Sequence, residues 1–134
     1  MTDETTSRQT SASARPLCIL FVEDNDNLRE MMSLLMEADD REVVACASGE
    51  EALALCAGRP FDVVITDVSL PGISGTELAR RLLATAPRRW VVLCSGYGYD
   101  DALVRQLGPN VRSLAKPFEV DELDTLLAEV DAAR

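Results

Sequence analysis

Short apolar runs rich in β-branched residues alternate along the chain with longer stretches in which apolar residues recur every three or four positions. This pattern predicts strands over 17–22, 42–47, 61–66, 90–94 and 111–114, and helices over 26–38, 49–57, 75–84, 99–107 and 119–131. Leu28, Met31, Met32, Leu35 and Ala38 mark the expected buried face of the first helix. Val120, Leu123, Leu126, Leu127 and Val130 do the same for the last. Ser48-x-x-Glu51 and Ser74-x-x-Glu77 fit capping boxes that start two of the helices, while Gly58 with Pro60 and Gly108 with Pro109 supply stops. Strict β/α alternation implies a doubly wound α/β domain, a parallel sheet with helices on both faces. Residues 1 to about 15 are Ser/Thr-rich without periodicity and are expected to form a disordered tail, leaving 16–134 as the single domain.

Right-handed crossovers bring the C-terminal ends of parallel strands to one edge, where ligands bind at the point of reversed strand order. Each apolar run that ends there is followed by a polar group: Glu23 and Asp24 after CILFV, Asp67 after FDVVIT, Ser95 after WVVLC, and Lys116 ahead of Pro117. In a 2-1-3-4-5 order, Glu23, Asp24 and Asp67 lie within a few ångströms of one another. Two carboxylates about 5 Å apart repel by roughly 3 kcal/mol at an effective dielectric of 20. A hard divalent cation with oxygen ligands relieves that repulsion, and Mg²⁺, which takes one or two carboxylates, waters and a phosphoryl oxygen, fits best. Taken alone, EDNDN also reads as a polar loop with Asp26 capping a helix; the agreement of four separate strand ends favours a site.

Composition narrows the chemistry. The net charge of −10 argues against a phosphate backbone as partner, so no nucleic-acid binding is expected. There is no histidine, and Cys18, Cys46, Cys56 and Cys94 have no metal-ligand spacing, so they read as small reduced core residues and any phosphohistidine must sit on a partner. No run has the length of a membrane span, no apolar signal segment is present, and the expected location is the cytoplasm.

The acidic pair in LFVEDN, the segment DVVITDVSLPGISGTELA, the hydroxyl segment VVLCSGYG and the closing AKPF together resemble the receiver domain of two-component response regulators. The resemblance spans nearly all of residues 17–131 and implies a flavodoxin-like (βα)5 fold of order 2-1-3-4-5. It implies that Asp67 accepts a phosphoryl group from the phosphohistidine of a histidine kinase or histidine phosphotransfer protein, and that signalling to a downstream protein target is by contact. Asp24, Asp67 and the Ser69 carbonyl would ligate Mg²⁺, with Glu23 acting through a metal-bound water. Ser95 and Lys116 would bind the phosphoryl group, and the Lys116–Pro117 bond would be cis.

Two positions depart from the family pattern. Ser113 stands where receivers usually carry an aromatic switch residue, so only weak conformational change on phosphorylation is expected; Tyr97 and Tyr99 read as exposed loop residues. Gly96 replaces the usual Ala beside the hydroxyl residue, which loosens that loop. Trp90 begins its strand at the edge away from Asp67 and should report poorly on the site. A phosphodonor is expected to dock near the first helix, around Arg29. The competing reading is a pseudo-receiver that binds partners without phosphorylation. An aspartyl phosphatase would want an acid two residues after Asp67, where Ser69 stands, and a flavin domain cannot place its phosphate loop on EDNDN.

Overall fold

A computed structural model describes residues 15–96 and 104–134. The elements are β1 (Leu17–Val22), α1 (Asp26–Met36), β2 (Arg41–Cys46), α2 (Gly49–Gly58), β3 (Val63–Asp67), α3 (Gly75–Thr85), β4 (Trp90–Ser95), β5 (Val111–Ala115) and α4 (Val120–Ala133). All pairings are parallel and the order is β2-β1-β3-β4-β5, the expected 2-1-3-4-5 flavodoxin-like sheet.

Side chains alternate across the pleat, so each strand feeds both faces. Leu17, Ile19 and Phe21 of β1 pack with Met32 and Met36 of α1 and Leu123, Leu127 and Val130 of α4. Leu20 and Val22 point the other way, against Ala52 of α2 and Leu78 and Leu82 of α3. A fully buried aliphatic side chain contributes about 1.5–3 kcal/mol, and both faces of β1 and β3 are buried, which fixes the register of the central strands.

The structure corrects several local expectations. The buried row of α1 is Met32 and Met36 with Leu28 partly covered, whereas Met31 is 53% exposed, Leu34 68% and Leu35 50%. Residues four apart stay on one face, and Met31 and Leu35 belong to the neighbouring row, which the sheet does not reach. α1 stops at Met36, and Ala38 instead bridges to Arg41. Asn25, not Asp26, caps α1, its side chain accepting from the Leu28 N–H at 2.9 Å. Ser48 and Ser74 cap as predicted, but their boxes are half made: Glu51 turns back to the Ala47 N–H, and Glu77 pairs with Arg80 and Arg81. Val120, at the first turn of α4, is exposed. β3 begins two residues late because the Asp62 carboxylate takes the Cys18 N–H at 2.8 Å in place of a ladder bond. All four cysteines are free, as expected. The tail expectation for 1–14, most of the 99–107 helix and both tyrosines lie outside the described residues.

Candidate functional site

The site forms where β1, β3, β4 and β5 end. Val22 pairs with Thr66, so Glu23 and Asp67 follow side by side on adjacent strands, and Asp67 in turn lies beside Cys94 with Ser95 one step beyond. One oxygen each from Glu23, Asp24 and Asp67 lies within 4.8 Å of the others. Glu23 is buried at 3% exposure, Asp67 is half-buried and Asp24 is exposed, so the cluster runs from the protein interior to solvent.

Lys116 bridges the two inner carboxylates. Its Nζ is 3.2 Å from Glu23 Oε1 and 3.3 Å from Asp67 Oδ2. Burial acts to lower the pKa of this ammonium, but the Asp67 and Glu23 carboxylates outweigh burial and hold it above the usual lysine value. Three carboxylates against one ammonium leave two net negative charges, and carboxylate oxygens are the donors a hard divalent cation takes. The fit to Mg²⁺ is therefore one of donor chemistry as well as charge. Asp24 has no cationic partner among the described residues.

Backbone bonds hold these groups in place. Glu23 N–H donates to the Cys46 carbonyl at 3.1 Å, prolonging the ladder one residue past β1, and Glu23 Oε2 accepts from the Asn25 N–H at 3.1 Å. Arg29, near which a phosphodonor is expected to dock, donates to the Glu23 carbonyl at 3.0 Å and pairs with Asp26 at 2.7 Å. Past Asp67, the Val68 N–H donates to the Cys94 carbonyl at 2.9 Å, and the Gly75 N–H returns to the Val68 carbonyl at 2.9 Å. A Cβ on Gly75 would lie 2.2 Å from the Asp67 carbonyl oxygen, so only glycine lets α3 begin this close to the strand end. Gly72 sits at φ +75°, and the Ile73 N–H donates to Glu50 of α2 at 3.2 Å, tying down the loop that carries Ser69. The Lys116 N–H donates to the Ser95 carbonyl at 2.8 Å, and the Lys116–Pro117 bond is cis.

The structure thus brings together Glu23, Asp24, Asp67, Ser95 and Lys116. Ser69 is exposed two residues past Asp67, and Ser113 is half-buried on β5 opposite Leu93, away from the strand ends. Sequence reasoning missed Asn25, Glu50 and the close approach at Gly75; the glycine after the capping serine in SGTELA was the one available signal. It also missed a cavity of about 400 Å³ beside the site, walled by Leu28, Met31, Met32, Phe21, Pro117 and Phe118. Cys94 reaches this cavity, and its thiol is pushed up to about 12 by burial first, which outweighs the opposing Lys116 ammonium, with Asp67 and Glu23 adding to the rise.

Comparison with known proteins agrees with this geometry. The family model of the response regulator receiver domain matches residues 19–128. The chain is 36% identical over 111 residues to the response regulator protein FleR of Pseudomonas aeruginosa, covering 82% of this chain and 24% of that protein. It is also 36% identical over 124 residues to the virulence sensor protein BvgS of Bordetella pertussis, covering 87% of this chain and 10% of that protein. The chain therefore spans a quarter or less of these relatives. Among solved structures, the response regulator protein TrrA of Thermotoga maritima, in complex with Mg²⁺-BeF, superposes with a TM-score of 0.75 at 29% identity over 85% of this chain and 98% of that one. No helix among the described residues is long and apolar enough to cross a membrane. With its order 2-1-3-4-5 sheet, its acidic cluster at the strand ends and a family match over most of its length, the chain belongs to the response regulator receiver domains of two-component signal transduction.

Proposed function

We propose that this domain is a phosphoacceptor in which Asp67 takes a phosphoryl group from a phosphohistidine on a histidine kinase or histidine phosphotransfer protein. The observation that carries this reading is the position of Asp67, half-buried beside Glu23 and Asp24 and 3.3 Å from Lys116. Glu23, Asp24, Asp67 and the Ser69 carbonyl would hold Mg²⁺, which when bound neutralises phosphoryl oxygens. An Asp67 carboxylate oxygen attacks phosphorus in line, the P–N bond breaks, and its electron pair returns to the partner's imidazole. Lys116 gives up part of its contact with Asp67 to pair with the incoming phosphoryl oxygens, and the Ser95 hydroxyl donates to another of them. Hydrolysis of the acyl phosphate resets the domain.

Docking falls to α1. The exposed Met31, Leu34 and Leu35, continuous with the cavity that Met31 and Phe118 wall, suit an apolar helix of the phosphodonor. Arg29 is spent on the β1–α1 loop, so a charge reversal there would disturb the acidic loop itself. Leu34→Asp is the cleaner probe: transfer from a cognate kinase should slow severalfold while labelling by a small-molecule phosphodonor stays unchanged. Equal rates with both donors would remove α1 from the docking surface. Mass spectrometry after incubation with a phosphorylated histidine phosphotransfer domain should find one added phosphoryl group, on Asp67, and none in Asp67→Asn. A protein that never acquires the group would instead act as an interaction module, the reading Ser113 favours.

A further inference from the structure

The loop between Asp67 and α3 reaches across to the start of α2, where one carboxylate meets its backbone. The Gly75 N–H closes the loop at its base by donating to the Val68 carbonyl at 2.9 Å. Pro71 restricts its own φ and Gly72 is held at φ +75°, so the freer torsions lie around Ser69 and Leu70. Leu70 and Ile73 pack against the cluster that contains Leu20, Val22, Ala52 and Leu78. Apolar contact of this kind is non-directional and does not aim a carbonyl.

Direction comes from α2. Glu50 Oε2 accepts from the Ile73 N–H at 3.2 Å, the one hydrogen bond that the backbone of residues 69–73 makes to another element among the described residues. A Cβ on Gly72 would lie 2.5 Å from Glu50 Oε2 and 3.0 Å from Oε1, so the carboxylate rests directly on the glycine backbone. A Cβ on Gly49 would lie 2.6 Å from Ile73 Cγ1, so helix start and loop are in close contact there too. The helix start is itself fixed, because Ser48 accepts from the Glu51 N–H at 3.2 Å. Two residues ahead of that cap, the Cys46 carbonyl takes the Glu23 N–H at 3.1 Å. α2 is thereby joined to both sides of the acidic cluster, to Glu23 through Cys46 and to the residues after Asp67 through Glu50.

We propose that Glu50 is a positioning residue for the metal site, which by holding the Ile73 N–H aims the Ser69 carbonyl at the cation. This rests on the reading of Glu23, Asp24, Asp67 and Ser69 as the Mg²⁺ donors. Glu50 is not one of the donors and acts only through the loop. Its hydrogen bond is what matters, and an amide oxygen at the same place accepts the same N–H. Groups that orient a metal ligand from outside the donor set typically change metal affinity by about tenfold or more.

The test is Mg²⁺ affinity by amide NMR titration of the whole chain, with hydrogen exchange of the Ile73 amide in Mg²⁺-free buffer as a second readout. Glu50→Ala should weaken Mg²⁺ about tenfold and speed exchange at Ile73. Glu50→Gln, which keeps an acceptor, should match the wild type in both. Glu51→Ala removes the bond to the Ala47 N–H at the same helix start without touching the loop. It should lower the melting temperature and leave Mg²⁺ affinity unchanged. Saturable Mg²⁺ shifts at residues 23–24 and 67 that keep the same affinity in Glu50→Ala overturn the proposal and leave the metal site standing. Equal losses in Glu50→Gln and Glu50→Ala overturn it in favour of charge, and an equal loss in Glu51→Ala overturns it in favour of helix stability. A wild type with no saturable response at residues 23–24 and 67 overturns the metal reading and this proposal together.

Discussion

At the scale of single residues, the site is an imbalance of charge organised around Lys116. Its ammonium is the cation shared by Glu23 and Asp67, and Glu23 is almost wholly buried. Lys116→Met should therefore destabilise the domain by about 2 kcal/mol in urea denaturation at neutral pH, because the carboxylates lose their partner but keep their burial. Unchanged stability would mean that Lys116 is held in place for phosphate alone. A second residue contributes to the loss of stability at alkaline pH. The Cys46 thiol, which donates to the Ser48 carbonyl at 3.6 Å, is pushed from 9.0 up to about 11, by burial above all. Its raised value means the folded state keeps a proton that the unfolded state has lost. The contribution of Cys46 to stability is intact below pH 9.0, is lost through the window up to about pH 11 and then levels off. Cys46→Ala should flatten that decline in pH-dependent melting. Glu23, Asp24, Asp67, Ser95 and Lys116 were legible because each terminates an apolar run. Asn25 was not, since N-cap and first-turn positions both favour short polar side chains and EDNDN offers several in succession.

At the scale of elements, the close packing of α3 against the end of β3 sets the shape of the site. Gly75→Ala places a methyl group where the Asp67 carbonyl already lies, at 2.2 Å, and should cost about 2–3 kcal/mol while displacing Asp67 enough to slow phosphorylation. A stable and fully active Gly75→Ala protein would show that the loop relaxes without moving the carboxylate. For α1, Asn25→Ala should cost about 1 kcal/mol by thermal melting and Asp26→Ala about half of that or less, because Asn25 makes the cap. The presence and start of α1 were readable from periodicity, but its end at Met36 and which of its apolar residues are buried were not. Met31, Leu34 and Leu35 lie beside Met32 and Met36 around the helix, and a sequence that is apolar over more than half its circumference does not distinguish core from contact surface. The β3 boundary was misplaced for a different reason. A side chain, Asp62, occupies a ladder position that sequence patterns assign to backbone.

At the scale of the whole molecule, the parallel sheet separates two chemistries. Unpaired carboxylate charge gathers where the strands end, whereas where they begin arginines meet acidic partners, Arg59 with Glu42, Arg112 with Glu129 and Arg134 with Asp62. Trp90 belongs to the second edge, with Arg112 over its ring, so its fluorescence should change little on addition of Mg²⁺. Strong Mg²⁺-dependent quenching would contradict that separation. Fold class and strand order were legible, because right-handed crossovers leave few ways to wind alternating strands and helices. The arginine edge was not, since Arg59, Arg88, Arg89, Arg112 and Arg134 are scattered along the sequence and meet only in three dimensions. The most direct test of the central claim is an amide NMR titration with Mg²⁺ followed by beryllofluoride, run beside Asp67→Asn. Saturable shifts at residues 23–24, 67–69, 95–96 and 116 that vanish in the variant are the predicted result. A response that is absent, or that is the same in Asp67→Asn, would contradict Asp67 as the phosphoacceptor.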